Sequence, residues 1–269
     1  MCHYQALKLF LLLIIFSKNS SIKLLYLKSF LYFFPVILLF ITNKAYSQTT
    51  ITGYSGIIMI PTAEISGDGV CWLGAGYVPA GYAEFRLPRF YSDGKDHGER
   101  TYFATVGFLP FLEISAAYTI PDYDPKGKGV GDRRTAFRFR LMKESEKRPT
   151  IAFGIHDPFG FLRTVGKHNQ HFTATYIVLS KNIQLKNMPK LSIHTGYGVD
   201  WIEAANHQFV GFFGGITVNL RKYLSFLTEY DSEKINMGFK VCFLKHLQLL
   251  GCILDFKNVS ASVSYKIKL

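Results

Sequence analysis

Beyond residue 48 this chain of 269 residues has no apolar run approaching the roughly 18 residues that a membrane-crossing helix needs. That excludes a helical membrane protein for most of its length. Catalytic signatures are missing as well: there is no G-x-S-x-G elbow and no H-E-x-x-H pair. Cysteine is sparse, with Cys2, Cys71, Cys242 and Cys252 in no C-x-x-C pair and no zinc spacing. The expectation is free thiols filling small sites, although Cys242 and Cys252 fall on consecutive expected strands. The 8 His show no metal spacing, and His97, His168 and His171 fall in expected surface links. Gly127-Lys128-Gly129-Val130-Gly131 has no helix after it, so no helix N-terminus would complete a phosphate cradle there. No cofactor or metal is expected. Residues 1–47 contain no Asp or Glu at all.

What is present is aromatic and alternating. The chain holds 16 Tyr and 24 Phe against 2 Trp, and outer-membrane barrels carry aromatic girdles at both interfaces. From Val70 onward short alternating segments follow one another, at 70–78, 100–108, 112–120, 133–142, 150–156, 172–180, 190–199, 209–218, 224–231, 234–242, 245–254 and 259–268. Links after the first, third, fifth and seventh strands are long, at about 79–99, 121–132, 157–171 and 200–208. Those after even strands are mostly tight, as at Leu109-Pro110-Phe111 and Asn219 to Lys222, with 181–189 the loosest. The last two links of the first kind, 231–233 and 255–258, are short and break the trend. A closed outer-membrane barrel sorts its links in this way, with short periplasmic turns and longer outer loops. A soluble β-sandwich also alternates along its strands, but has no reason to sort loops by parity. The reading is therefore all-β: an antiparallel transmembrane barrel of about 12 strands over 70–269, both termini periplasmic.

Strand facing follows from the period of two. Glu113, Ser115, Ala117 and Thr119 oppose Leu112, Ile114, Ala116 and Tyr118, while Ser260, Ser262, Ser264 and Lys266 oppose an apolar row. The residues expected to line the lumen are Glu113, Arg134, Arg138, Arg140, His194, Glu229, Lys240 and Lys266. The strands at 209–218 and 245–254 are apolar on both faces and alternate weakly.

Residues 1–47 carry five Lys and two apolar blocks, at 9–16 and 30–41, ahead of Ala45-Tyr46-Ser47. This is the pattern of a secretory signal peptide cleaved near Ser47. The extra block at 9–16 points either to a long leader or to a translation start further downstream, the second being preferred. No cysteine stands at the cleavage site, so lipid attachment is not expected there. Formal net charge is +12, and five of those positives leave with the leader, giving +7. For an exported chain with no aromatic–basic RNA motif, that charge points to anions such as acidic polysaccharide or lipid phosphates, and not to nucleic acid. Outer-membrane lipids and other polysaccharide-secretion proteins complete the expected partners.

Residues 48–69 are expected to form a plug or periplasmic strap. Here Thr52-Gly53-Tyr54-Ser55-Gly56-Ile57-Ile58-Met59-Ile60-Pro61-Thr62-Ala63 resembles the opening motif of the YjbH family of Gram-negative outer-membrane proteins, with Gly53, Gly56, Pro61 and Thr62 carrying the match. Phe139-Arg140-Leu141-Met142-Lys143-Glu144-Ser145-Glu146, running into Pro149 to Asp157, is similar to the same family. The resemblance implies an outer-membrane barrel assisting production or export of an extracellular polysaccharide, with no catalytic residues to carry over. Its mechanism would be passive, with Arg134, Arg138, Arg140, Lys240 and Lys266 along a path for an anionic polymer. Two other readings stand beside it. One is an outer-membrane enzyme acting on lipid or glycan, with His156 and Asp157 at the rim. The other is a soluble periplasmic β-sandwich that binds polysaccharide.

Overall fold

Twelve antiparallel strands close on themselves in a computed structural model that describes residues 48–83, 97–122, 131–158, 172–184, 189–199, 201 and 209–269. The expected leader over 1–47 lies outside the described residues, as do most of the expected long links and, with them, His168, His171 and Gly127-Lys128-Gly129. The strands are β1 Val70–Val78, β2 Glu99–Leu109, β3 Leu112–Pro121, β4 Asp132–Met142, β5 Thr150–His156, β6 Ala174–Ile183, β7 Lys190–Val199, β8 Gly211–Arg221, β9 Leu224–Tyr230, β10 Ile235–Phe243, β11 Leu247–Leu254 and β12 Asn258–Lys268. Each pairs with its sequence neighbour, and β1 pairs with β12 to seal the barrel. A closed sheet leaves no edge with unpaired backbone groups. Among the described residues no helix is long and apolar enough to cross a membrane.

Strand limits agree with the sequence pattern at β1, β5 and β7 and depart from it elsewhere for local reasons. The strand expected from 209 begins at Gly211, because Phe209 adopts φ 54°, and a strand cannot run through the left-handed region. β11 begins at Leu247 and not 245, because Leu244 and Lys245 form the turn with φ 48° and 65°. Register shifts at Gly107/Leu109, Arg140/Met142 and Asn219/Arg221 all fall at the end of the barrel that carries the short turns. Bulges concentrate at barrel rims in this way.

Side chains alternate as period two demands. On β3 Glu113, Ser115, Ala117 and Thr119 are buried, while Ala116 and Tyr118 are exposed. On β12 Ser260, Ser262, Ser264 and Lys266 are buried, and Val259, Ala261, Val263 and Tyr265 face out. The outer wall is apolar through its middle, with Leu73, Ile177, Ile193, Ile216, Phe239 and Val263 all exposed. Toward the long-link end it carries two arcs of exposed aromatics, Tyr77, Tyr102 and Tyr118 on β1–β3 and Tyr197, Phe212 and Tyr230 on β7–β9. Two pairs of these meet across neighbouring strands, Tyr102 with Tyr118 and Tyr197 with Phe212.

The weak alternation of β8 and β11 has a cause in the interior. Phe213, Leu250, Cys252 and Leu254 point inward and join one apolar cluster with Ile51, Ile57, Ile58 and Ile60. The interior apolar surface is thus supplied partly by a segment that precedes the barrel. All three cysteines of the described residues are free.

Candidate functional site

That segment, residues 48–66, occupies the inside of the barrel. Its chain reverses on itself through isolated antiparallel bridges, Thr49 with Ser55 and Gly56 with Pro61. Gly53 makes the first reversal possible, since its φ of 106° is one that L side chains rarely adopt. A Cβ there would also lie 2.2 Å from Cγ of the Phe103 ring. At Gly56 a Cβ would stand 2.2 Å from the carbonyl oxygen of Ile60. Pro61 has no N–H to satisfy, and the next residue, Thr62, closes the reversal with its N–H on the Ser55 carbonyl at 3.3 Å.

Reversals this tight leave many backbone groups without strand partners, and buried polar groups need partners. The inward side chains supply them. Glu113 and Arg138 form an ion pair at 2.8 Å with both side chains 0% exposed. Glu113 also accepts from the backbone N–H of Ser55 at 3.1 Å and of Ser66 at 2.7 Å, and from the Ser55 hydroxyl. Arg138 donates onward to the carbonyls of Ser55, at 2.7 Å, and Thr62. Glu229 takes three successive N–H groups, from Ile58 at 2.9 Å, Met59 at 2.8 Å and Ile60 at 3.3 Å. Consecutive amides turned onto one anion form a nest, and here the anion is a side chain of the barrel itself. Lys240 Nζ donates to the Gly56 carbonyl at 3.0 Å, and Arg134 to that of Thr52 at 2.7 Å. The Ser180 hydroxyl accepts from Ala63 N–H at 2.8 Å and lies 2.7 Å from His194 Nδ1.

Six of the eight residues expected to line the lumen therefore point at the plug or its immediate partners: Glu113, Arg134, Arg138, His194, Glu229 and Lys240. The path for a polymer expected along these cations is occupied by the plug, to whose backbone Arg134, Arg138 and Lys240 each donate. Lys266 sits nearer the short-turn end, its Nζ 5.8 Å from the centre of the Trp72 ring. Arg140 departs from expectation. Half-buried, it donates to the Pro110 carbonyl in the β2–β3 turn, so it belongs to the rim and not to the interior. His156 is not at an exposed rim either. It is 0% exposed, with its ring 4.5 Å from that of Tyr54 and its Nε2 3.0 Å from the Tyr176 hydroxyl. Asp157 follows it at φ 46° and is 8% exposed. Sequence reasoning missed Gln248, whose side-chain amide pairs with Thr49 N–H at 3.2 Å and with the Thr49 carbonyl at 3.1 Å, much as a strand would. Its inward position on β11 was the available signal. Among the described residues no group of three or more His, Cys, Asp or Glu is placed to hold a metal.

Beneath the plug, toward the short-turn end, a cavity of about 370 Å³ remains open. Gly56 and Thr62 of the plug lie in its lining. Its wall includes Ser192, Thr217, Asn219 and Ser225, and the turns and strand ends beside it bring Lys190, Arg221, Lys222 and Lys245. Glu64 is the one carboxylate of its lining among the described residues; Asn182 bridges it to Glu144, donating through Nδ2 at 2.8 and 2.6 Å.

Glu144, in the β4–β5 link, holds that link to β6. Burial pushes its carboxyl up, but the Asn182 side-chain amide, the Asn182 N–H at 2.8 Å and the Lys181 ammonium at 3.4 Å outweigh it and hold it below the ordinary range. A folded value below the unfolded one gives stability that is present above the ordinary Glu value of about 4.3 and lost as pH falls through the folded value. Exchange of the Asn182 amide, corrected for its intrinsic rate, should accelerate on acidification below about pH 4. In Glu144→Ala it should be fast already at neutral pH, with no acid step. A protected Asn182 amide in that variant would refute the assignment.

The motif built around Gly53, Gly56, Pro61 and Thr62 is thus the plug itself, and the segment from Phe139 to Asp157 is the β4–β5 hairpin beside it. No curated protein matches the chain. A family model described as exopolysaccharide biosynthesis protein YbjH matches residues 49–210, from the start of the plug to the link after β7. That is more than half of the chain, and the chain belongs to the YjbH exopolysaccharide biosynthesis family.

Proposed function

We propose that this chain is a barrel of the Gram-negative outer membrane, exported with cleavage near Ser47, that assists production or export of an extracellular polysaccharide without catalysing a reaction itself. The observation that carries the membrane reading is the outer wall. Its exposed middle is apolar and is bordered by aromatics toward the long-link end, as lipid contact demands. A water-facing sheet of this extent would be a large apolar patch of the kind soluble monomers avoid. Short turns and both chain termini then face the periplasm, and the two aromatic arcs lie on the outer side. Family membership supports the polysaccharide role. The interior in its present state is closed by residues 48–66, so passage of a polymer requires that segment to leave its seat. Lipids, an anionic polysaccharide and other secretion proteins are the proposed partners.

Two measurements test this. In an outer-membrane fraction the unboiled protein should migrate as a compact species that shifts on boiling, since a closed barrel resists cold detergent, and loss of the chain should lower polymer output. Ile216, exposed midway along β8, supplies the second. Ile216→Arg should destabilise the lipid-embedded barrel by about 2–4 kcal/mol. On a water-facing strand the same change would stay within about 0.5 kcal/mol. A soluble, non-shifting protein indifferent to Ile216→Arg would instead be the periplasmic binding module.

A further inference from the structure

The cavity under the plug differs from the rest of the interior in how its charges are balanced. Arg138 is answered by Glu113, and Lys181, just outside the cavity, by Glu144. By contrast Lys190, Arg221, Lys222 and Lys245 form no ion pair among the described residues. They come from three separate places, the start of β7, the β8–β9 turn and the β10–β11 turn, and all line one cavity. Like charges gathered around one concave space raise the local concentration of anions. Behind them the wall changes character, to uncharged hydroxyls and amides. Asn219 is fixed there by accepting from the Ser225 hydroxyl at 2.8 Å and donating to the Lys190 carbonyl at 3.3 Å.

We propose that this vestibule binds a segment of an acidic oligosaccharide, with Lys190, Arg221, Lys222 and Lys245 taking its carboxylates and Thr217 and Asn219 among the groups that meet its hydroxyls. The class follows from the lining. A simple phosphate needs the cations but not a polar chamber of about 370 Å³, which lies in the range of sites for small organic ligands. An acyl chain would leave the cations and the hydroxyl and amide groups of the lining without partners. A sugar acid uses both halves of the lining, and the Tyr223 ring in the same wall offers an apolar face to pyranose C–H groups beside a polar handle. Because the plug lies at the inner end of the chamber, the ligand is held there and does not pass through. That a polymer reaches this mouth from the periplasm rests on the outer-membrane reading above; recognition rests on the cavity alone.

The test uses the full chain folded in detergent micelles, with the heat shift as proof of folding. Trigalacturonate, maltotriose, triglutamate and inorganic phosphate are titrated calorimetrically at low and physiological salt. Trigalacturonate should bind saturably, at least about tenfold tighter than each of the others, which is about 1.4 kcal/mol, and more weakly as salt rises. The double variants Arg221→Gln/Lys222→Gln and Lys190→Gln/Lys245→Gln should each weaken it about tenfold while keeping the heat shift. Absence of saturable binding overturns the proposal, as does binding unchanged in both double variants. Equal affinity for phosphate would make the site a plain anion trap, and equal affinity for triglutamate a site for acidic peptide; either result also overturns it. Binding by a protein that proves absent from the outer membrane would sink the functional reading and leave the site standing. An outer-membrane protein required for polymer output that binds none of the four probes would do the reverse.

Discussion

Gly56→Val should yield a barrel that still assembles but conducts ions. A Cβ at this position meets the Ile60 carbonyl oxygen at 2.2 Å and Thr50 Cγ2 at 2.4 Å. Both obstacles belong to the plug, so the clash is internal to residues 48–66 and cannot be relieved by the barrel. The reversal that brings Ile58, Met59 and Ile60 onto Glu229 then fails to close. None of the strand ladders includes Gly56, so the heat shift should persist. Barrels of about eight strands are filled by their own side chains and those of 16 or more hold open channels. Twelve strands lie between these limits, so what occupies the lumen decides whether it conducts. In planar bilayers the variant should carry at least about tenfold the current of the parent, and residues 48–66 should become cleavable by protease. A silent barrel with a protected plug would show that the Gly56 contact does not govern seating.

Arg138→Met should have the largest effect on stability. The substitution leaves the Glu113 carboxyl 0% exposed and without its cation, and it removes the donor to the Ser55 and Thr62 carbonyls. Removing one member of a buried ion pair typically costs about 3–5 kcal/mol, most of it the penalty of the charge left behind. The measurement is the denaturant midpoint of the folded, fast-migrating species. The double variant Glu113→Gln/Arg138→Met should recover part of the loss, because no isolated charge remains. A single variant within about 1 kcal/mol of the parent would mean that water reaches Glu113 after all.

The strand layout was legible because its two signals are physically independent. Period-two alternation reports which face is wet, and link length reports which end of the barrel a turn occupies. On β3 and β12 the alternation read from sequence is the alternation in the structure. It was weakest on β8 and β11, and the reason could not be read from those strands. Phe213, Leu250 and Leu254 face an apolar plug and not a wet lumen. The same hidden partner explains what was misread at the site. Arg134, Arg138 and Lys240 look from sequence like cations waiting for a polymer, because nothing local marks the carbonyls of Thr52, Ser55 and Gly56 as their acceptors. His156 beside Asp157 looks like a rim pair until Tyr54 is seen against its ring. Arg140 shares the face of Arg138, but a register shift falls next to it, between Arg140 and Met142, and its guanidinium turns to Pro110.

The seat of residues 48–66 also constrains the order of assembly. Its partners are scattered from Thr105 on β2 through Glu113, Arg138, Ser180 and Glu229 to Gln248 on β11 and Ser264 on β12. Thr49 and Ser264, whose hydroxyls lie 2.9 Å apart, are 215 positions apart along the chain. Contacts of such sequence separation form late, since loop-closure entropy must be overcome first. The stretch that leaves the ribosome ahead of every strand is therefore the one whose binding site is finished only when the last strand is in place. It must wait beside a growing, still open sheet and be enclosed as β12 meets β1, so sealing the wall and capturing its contents become one cooperative event.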